Sequence, residues 1–213
     1  MRRAVKVLAA ASMMAATFWA SISEAAFFSF PRALKFQVEQ ISFEAPALTP
    51  VGHTRFCQQY KDDCEIQGVD FRRRNIALTA DRWEELTSVN RAVNRSIIPQ
   101  RNLGGLLTEV WLVAPRAGEC HDYAVTKRHE LLEHGWPSRS LLLSEVVTVS
   151  GEHHLVLIVR LKDVDLVLDS LNPNVRPVTQ TNYKWLRAET PGNPRYWSTV
   201  SVPSRQHAAT LPG

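Results

Sequence analysis

After a helical stretch that ends at His134-Gly135, the chain changes period and presents three closely spaced apolar runs: Leu141 to Val149, His154 to Arg160 and Val164 to Leu168. Leucine and β-branched residues dominate them, and only Ser150-Gly151-Glu152 and Lys162-Asp163 stand between them as turns. A parallel crossover needs about a dozen residues, so links this short predict an antiparallel meander. Upstream, Trp83, Leu86, Val89 or Asn90, Val93 and Ile97 recur near helical spacing, and Thr79 or Asp81 supplies a start signal. That pattern predicts an amphipathic helix running to Pro99, with its apolar stripe in the core. Helices first and a run of strands afterwards is the signature of the α+β class.

The remaining segments carry weaker signals. Lys35 to Phe43 alternates just enough for one short strand or an extended arm. Cys57 to Asn75 reads as a polar loop, and Leu106 to Val113 as an apolar patch. The tail, with Trp185, Tyr196 and Trp197 among prolines and glycines, reads as irregular packing onto the sheet. No internal repeat is present.

A chain of 213 residues suits one domain with a sizeable core. Its beginning has a different purpose. Arg2, Arg3 and Lys6 precede an apolar run from Val7 to Trp19, and Ser23-Glu24-Ala25 places small residues where a signal peptidase needs them. The expectation is a signal peptide over 1–25, cleaved after Ala25, and a single domain over 26–213, exported to the periplasm or beyond. An uncleaved anchor is the alternative, but the apolar run is short for a span. Cleavage would remove three basic residues and one acidic one, so the net charge of +4 would fall to about +2. The basic run that remains, Arg72-Arg73-Arg74, lacks aromatic interleaving and reads as a solvated face, not a nucleic-acid site. No integral membrane domain is expected after cleavage.

Three cysteines lie in the exported part. Cys57 and Cys64 flank a turn-prone stretch and could close a small disulfide loop in an oxidising compartment, leaving Cys120 over. A buried inert thiol is one account of an odd cysteine, and a nucleophile is the other. Cys120 lies between a Pro- and Gly-bearing segment, Ala114 to Gly118, and a helical pattern, so it falls at a helix start. Free N–H groups and the positive end of the dipole favour a thiolate there. A nucleophilic cysteine also needs a base and a group to orient it. His154 opens one strand of the meander and Asp169 closes the next, which puts both at one end of the sheet. A histidine that merely caps a strand and an aspartate that starts a turn would fit the same spacing.

Gly118-Glu119-Cys120-His121-Asp122-Tyr123-Ala124, then His154-Leu155-Val156-Leu157, then Val167-Leu168-Asp169-Ser170-Leu171, resembles the three-block signature of the bacterial transglutaminase-like cysteine proteinases. With the helix carrying Trp83 and Val89-Asn90, the resemblance covers 79–177. It implies a papain-like, transglutaminase-like fold of the α+β class. It also implies a Cys120 nucleophile, a His154 general base and acid, an Asp169 that holds the imidazole in its working tautomer, and an oxyanion site using the Cys120 amide. The implied activity is that of an exported cysteine endopeptidase acting on a protein substrate, such as a large surface adhesin. Acyl transfer to an amine, and a non-catalytic periplasmic binding module of the same fold, are the rival readings.

The family usually shows Gly-Asp-Cys-Glu-Asp-Tyr, with acidic residues around the cysteine that help to bind calcium. Here Glu119 and Asp122 stand at two of those positions and His121 replaces a carboxylate, removing an oxygen that a hard cation wants. No cofactor is therefore expected, calcium through Glu119 and Asp122 being the exception to test. His121 reads as an exposed first-turn residue, the alternative being a positive charge that favours the thiolate. His129 and His134 are five apart, about 140° round a helix, which does not suit zinc. His153 is expected on the opposite sheet face from His154, at the surface. Asn172 is expected to make the turn at Asn172-Pro173.

Overall fold

The computed structural model describes residues 39–66, 76–101, 105 and 109–203. The expected signal peptide over 1–25 and the run Arg72-Arg73-Arg74 lie outside the described residues, as does part of the 57–75 segment. Two long helices follow the periodicity. Helix α2, Ala80–Ser96, starts where the Thr79 hydroxyl accepts the Arg82 amide at 3.3 Å, and it buries Leu86, Val89, Asn90 and Val93. Helix α3, Cys120–Glu133, ends at Gly135, whose φ of 83° is left-handed backbone that favours glycine. A shorter helix, α1, Val51–Gln59, precedes them and carries Cys57. The loop reading of the 57–75 segment is corrected there: Cys57 is helical, and Cys64 ends a 3-10 turn, Asp62–Cys64.

The meander is present. Strands β4, Leu141–Val147, β5, His153–Arg160, and β6, Asp165–Leu168, pair antiparallel, with Leu143 opposite Leu157 and Leu157 opposite Leu168. Beside it lie β1, Ser42–Ala47, β7, Arg176–Pro177, β8, Lys184–Thr190, and β9, Asn193–Ser201. Together they make an antiparallel sheet of seven strands in the order β1-β9-β8-β4-β5-β6-β7. The expectation of an irregular tail is corrected here. Lys184 to Ser201 is a hairpin that turns at Pro191-Gly192 and fills the gap between β4 and β1. A separate parallel pair, β2 (Ile98–Pro99) with β3 (Ala117–Gly118), ties the end of α2 to the residues just before Cys120.

Side chains alternate across the sheet as a period of two demands. Leu141, Leu143, Leu155, Leu157 and Val159 join Leu86, Val93, Val125 and Leu131 in the larger core under the helices. Leu142, Val146, Val156, Ile158, Val167, Ala188 and Val200 form a second core on the other face, which Tyr183 and Trp185 help to cover. Each fully buried Leu, Ile or Val contributes about 1.5–3 kcal/mol. Helix α3 packs on β5 and β4 and against α2, which makes the architecture α+β. Among the described residues no helix is long and apolar enough to cross a membrane.

Cys57 and Cys64 are joined in a disulfide, seven residues apart in sequence. The bridge holds Asp63 against α3, where its carbonyl accepts from Arg128 and its carboxylate meets His129 Nδ1 at 3.0 Å. Closing so short a loop stabilises the fold by about 2–3 kcal/mol. Reduction, or the double change Cys57→Ala/Cys64→Ala, is expected to lower the thermal midpoint by roughly 5–10 °C. A calorimetric scan with and without reductant checks this, and an unchanged midpoint would refute it.

Candidate active site

The site is built where the first residue of α3 meets the start of β5. Gly118 has to be glycine, because a Cβ there would collide with the Asp122 carboxylate. Asp122 fastens the helix start: Oδ2 accepts the Glu119 amide and Oδ1 the Leu112 amide, both at 2.8 Å. This is the acidic half of a capping box, placed where the dipole favours it. Cys120 is left half-buried with a free thiol. Val156 and Ile158 alternate onto the sheet face away from the helices, and His154, near the start of β5, sets its ring 5.9 Å from that of Tyr183.

His154 is 5% exposed, and its Nε2 lies 2.8 Å from Asp169 Oδ1. That leaves Nδ1 as the ring nitrogen available to the thiol. Asp169 is itself fixed on every side. The Leu171 amide donates to Oδ1 at 2.9 Å, and the Tyr183 hydroxyl donates to Oδ2. From α2, Asn90 Oδ1 accepts the Asp169 amide at 3.0 Å, and Asn94 Nδ2 donates to its carbonyl at 2.8 Å. Asn90 also bonds the carbonyls of Asn172 and Pro173, while Asn172 Oδ1 takes the Asn174 amide and makes the turn. Burial opposes ionisation of Asp169, but His154, Tyr183 and the Leu171 amide together hold its carboxyl below the usual range.

The sulfur and the imidazole shift each other. Burial raises the Cys120 thiol, but hydrogen bonds to His121 and His154, the His154 charge and the Leu155 amide bring it down to about 7. Burial lowers His154, but the bonds to Asp169 and Cys120 push it up to about 9. Between those values the pair exists as thiolate and imidazolium, the form that attacks a carbonyl and then protonates the leaving group. Lys127, fully buried two turns along α3, is dragged down to about 7 by burial against the pull of Asp169, and among the described residues its amine has no hydrogen-bond partner.

The other histidines take separate places. His153 is exposed on Glu145 at 2.7 Å, His129 meets Asp63, and His134 meets Glu85 at 2.9 Å. His121 is the correction: it is 5% exposed, not a surface residue. Its ring stacks on Trp111 at 5.7 Å and 14°, between Glu109, Glu119 and Asp122.

That placement bears on calcium. Both Asp122 oxygens are engaged by amides, Glu109 Oε1 takes the Trp111 N–H, and an imidazole fills the space among the carboxylates. A cation that wants six to eight oxygens does not fit this donor set. The ligand atoms of His53, Cys57 and Cys64 lie within 4.8 Å of one another, but the two sulfurs are bonded to each other and offer no thiolate.

Asn90, Asn94 and Tyr183 were not legible as functional residues. The one available signal was Asn90, a polar side chain on the apolar stripe of α2, where an unsatisfied amide would be costly.

Among curated proteins none matches the chain. Among solved structures it is similar to LapG of Legionella pneumophila, at 21% identity over 49% of this chain and 62% of that one, with a TM-score of 0.43. The EGTA-treated form gives 21% over 49% and 61%, at 0.43. The calcium-bound form gives 21% over 59% and 74%, at 0.47. The chain thus spans about three fifths of the first two. The family model described as bacterial transglutaminase-like cysteine proteinase matches residues 43–205, a stretch that holds α1, α2, α3, all of the sheet but its first residue, Ser42, and Cys120, His154 and Asp169. The chain belongs to the bacterial transglutaminase-like cysteine proteinases.

Proposed function

We propose that this protein is an exported endopeptidase that cleaves a periplasmic or surface protein through a thioester acyl-enzyme, with Cys120, His154 and Asp169 as its catalytic residues. The observation that carries the reading is one constellation drawn from three elements: a thiol lowered to about 7 beside an imidazole raised to about 9, itself 2.8 Å from a buried carboxylate. In the first step Cys120 Sγ attacks the scissile carbonyl carbon. The Cys120 amide, at the first position of α3, is the donor proposed for the developing oxyanion. His154 gives its proton to the leaving amine, and the thioester remains. Water then attacks, His154 takes its proton, and the thiolate departs. Asp169 keeps the proton-bearing Nε2 turned toward itself, so Nδ1 always faces the sulfur.

Export rests on the charged and apolar leader read in residues 1–25. A large surface adhesin is the substrate to examine first, because a free N-terminus on a cell-surface protein would report its cleavage. Calcium is proposed as unnecessary, on the donor set around His121.

The test begins with iodoacetamide. Cys120 is expected to alkylate faster than a denatured-chain thiol, with a rate that climbs through about pH 7. Peptide hydrolysis is expected to follow a bell, rising through about 7 as Cys120 loses its proton and falling through about 9 as His154 does. Cys120→Ala should abolish it with the thermal midpoint unchanged. Product mass with an added amine separates hydrolysis from acyl transfer. A folded Cys120→Ala variant that still cleaves would end the reading.

A further inference from the structure

His121 occupies an unusual place for its chemistry. It is the second residue of α3, where the helix dipole repels a positive charge, and it is buried, where a charged imidazole loses its water. Both effects favour a neutral ring, yet the surroundings are arranged for a cation. Nδ1 lies 3.4 Å from Glu109 Oε1 and 3.9 Å from Glu119 Oε2, and Nε2 lies 3.5 Å from Asp122 Oδ2. The ring plane is fixed by Trp111, which stacks on it at 5.7 Å and is held on its own flank by the edge of His53 at 5.7 Å. Trp111 in turn donates its N–H to Glu109, so the plate and one carboxylate are locked together.

The groups that face His121 are therefore Glu109 and Trp111 from the segment before β3, Glu119 from the cap of α3, and Cys120 and Asp122 from the helix itself. His154 stands on the other partner position of the sulfur. Three carboxylates gather around the ring of the residue next to the nucleophile, a setting that favours positive charge on that ring.

We propose that His121 is a second imidazolium of the nucleophile, a positioning residue that fills the carboxylate cluster from within and holds Cys120 as thiolate without a metal ion. The proposal rests on the peptidase reading above and deepens it. His154 exchanges protons with the substrate; His121 keeps its proton and supplies fixed charge. Consistent with that division, burial would lower the His121 imidazole, but Cys120, Asp122 and Glu109 raise it above its usual value.

The experiment measures the pH dependence of Cys120 alkylation by iodoacetamide in the full chain, with EGTA and with millimolar calcium. Three proteins are compared: the wild type, His121→Gln and His121→Glu. The wild type should alkylate at the same rate in both conditions. His121→Gln keeps the size and removes the charge. Its midpoint should rise by about one pH unit, so that the rate below pH 7 falls about tenfold. A matching thermal midpoint excludes a folding effect. His121→Glu makes the cluster wholly acidic, should react slower still in EGTA, and should recover when calcium is added.

Two results would overturn the proposal alone. One is a His121→Gln midpoint within about 0.3 unit of the wild type, with alkylation still lost in His154→Ala. The other is a wild type whose reactivity EGTA removes. A wild-type Cys120 no faster than a denatured thiol would instead bring down the peptidase reading, and this proposal with it.

Discussion

Asp169→Asn should reduce peptide hydrolysis by about three to four orders of magnitude while the protein stays folded. The side chain keeps its shape, but an amide replaces a charged acceptor. His154 Nε2, now 2.8 Å from Asp169 Oδ1, would face either an N–H or a neutral oxygen. If it turns to accept from the amide nitrogen, the ring proton moves to Nδ1, and the imidazole proposed as the base points a donor at the Cys120 thiol. The charge that raises His154 to about 9 is lost as well, so thiolate and imidazolium coexist over a narrower pH range.

A second consequence is structural. The Leu171 amide and the Tyr183 hydroxyl each use a different carboxylate oxygen, and the single oxygen of asparagine serves only one of them. The unpaired donor costs about 1–3 kcal/mol. Steady-state kinetics with the pH dependence of Cys120 alkylation separate the two effects, since stability loss alone does not move the alkylation midpoint. A variant within tenfold of wild-type turnover would show that Asp169 does not orient His154.

Glu189→Ala should destabilise the fold by about 3–5 kcal/mol, the cost of breaking a buried ionic network from one side. Glu189 lies in β8 with no exposed surface and touches three elements. Oε1 meets His53 Nε2 of α1 at 2.7 Å, Oε2 accepts the Leu143 amide of β4 at 2.9 Å, and Arg128 Nε of α3 lies 3.7 Å away. Arg128 is fully buried and otherwise bonds carbonyl oxygens of Leu141 and Asp63, so Glu189 is its nearest negative charge among the described residues. Removing that carboxylate strands a guanidinium and an amide in the core. Urea unfolding measures the loss, and a change under 1 kcal/mol would contradict this account. Glu189→Gln keeps an acceptor for Leu143 and should lose less.

Elements whose signals are local could be read directly. Thr79 starts α2, Pro99 follows its end, Gly135 ends α3, and the two short links of the meander force antiparallel pairing; each depends on residues a few positions apart. The same locality placed Cys120 at a helix start and put His154 and Asp169 at one end of the sheet. It failed for the hairpin of β8 and β9, whose strand character comes from pairing with β4 and β1 and not from its own Pro- and Gly-broken pattern. It failed for α1 as well, a short helix without a clear apolar stripe, held through Phe56 and His53 to distant partners.

His121 shows the limit most plainly. Its neighbours in sequence suggest an exposed first turn, and only the return of Glu109 and Trp111 over the helix start buries it. Nor does periodicity reveal that Asn90 and Asn94, 79 and 75 residues away in sequence, and Tyr183, 14 residues on, fix Asp169. Local pattern was enough for α2, α3, the meander and the chemical types available, because propensity and hydrophobic period act within a turn or two. The tertiary structure alone decided which charges meet in the dry interior, because that depends on contacts between segments that no local pattern encodes.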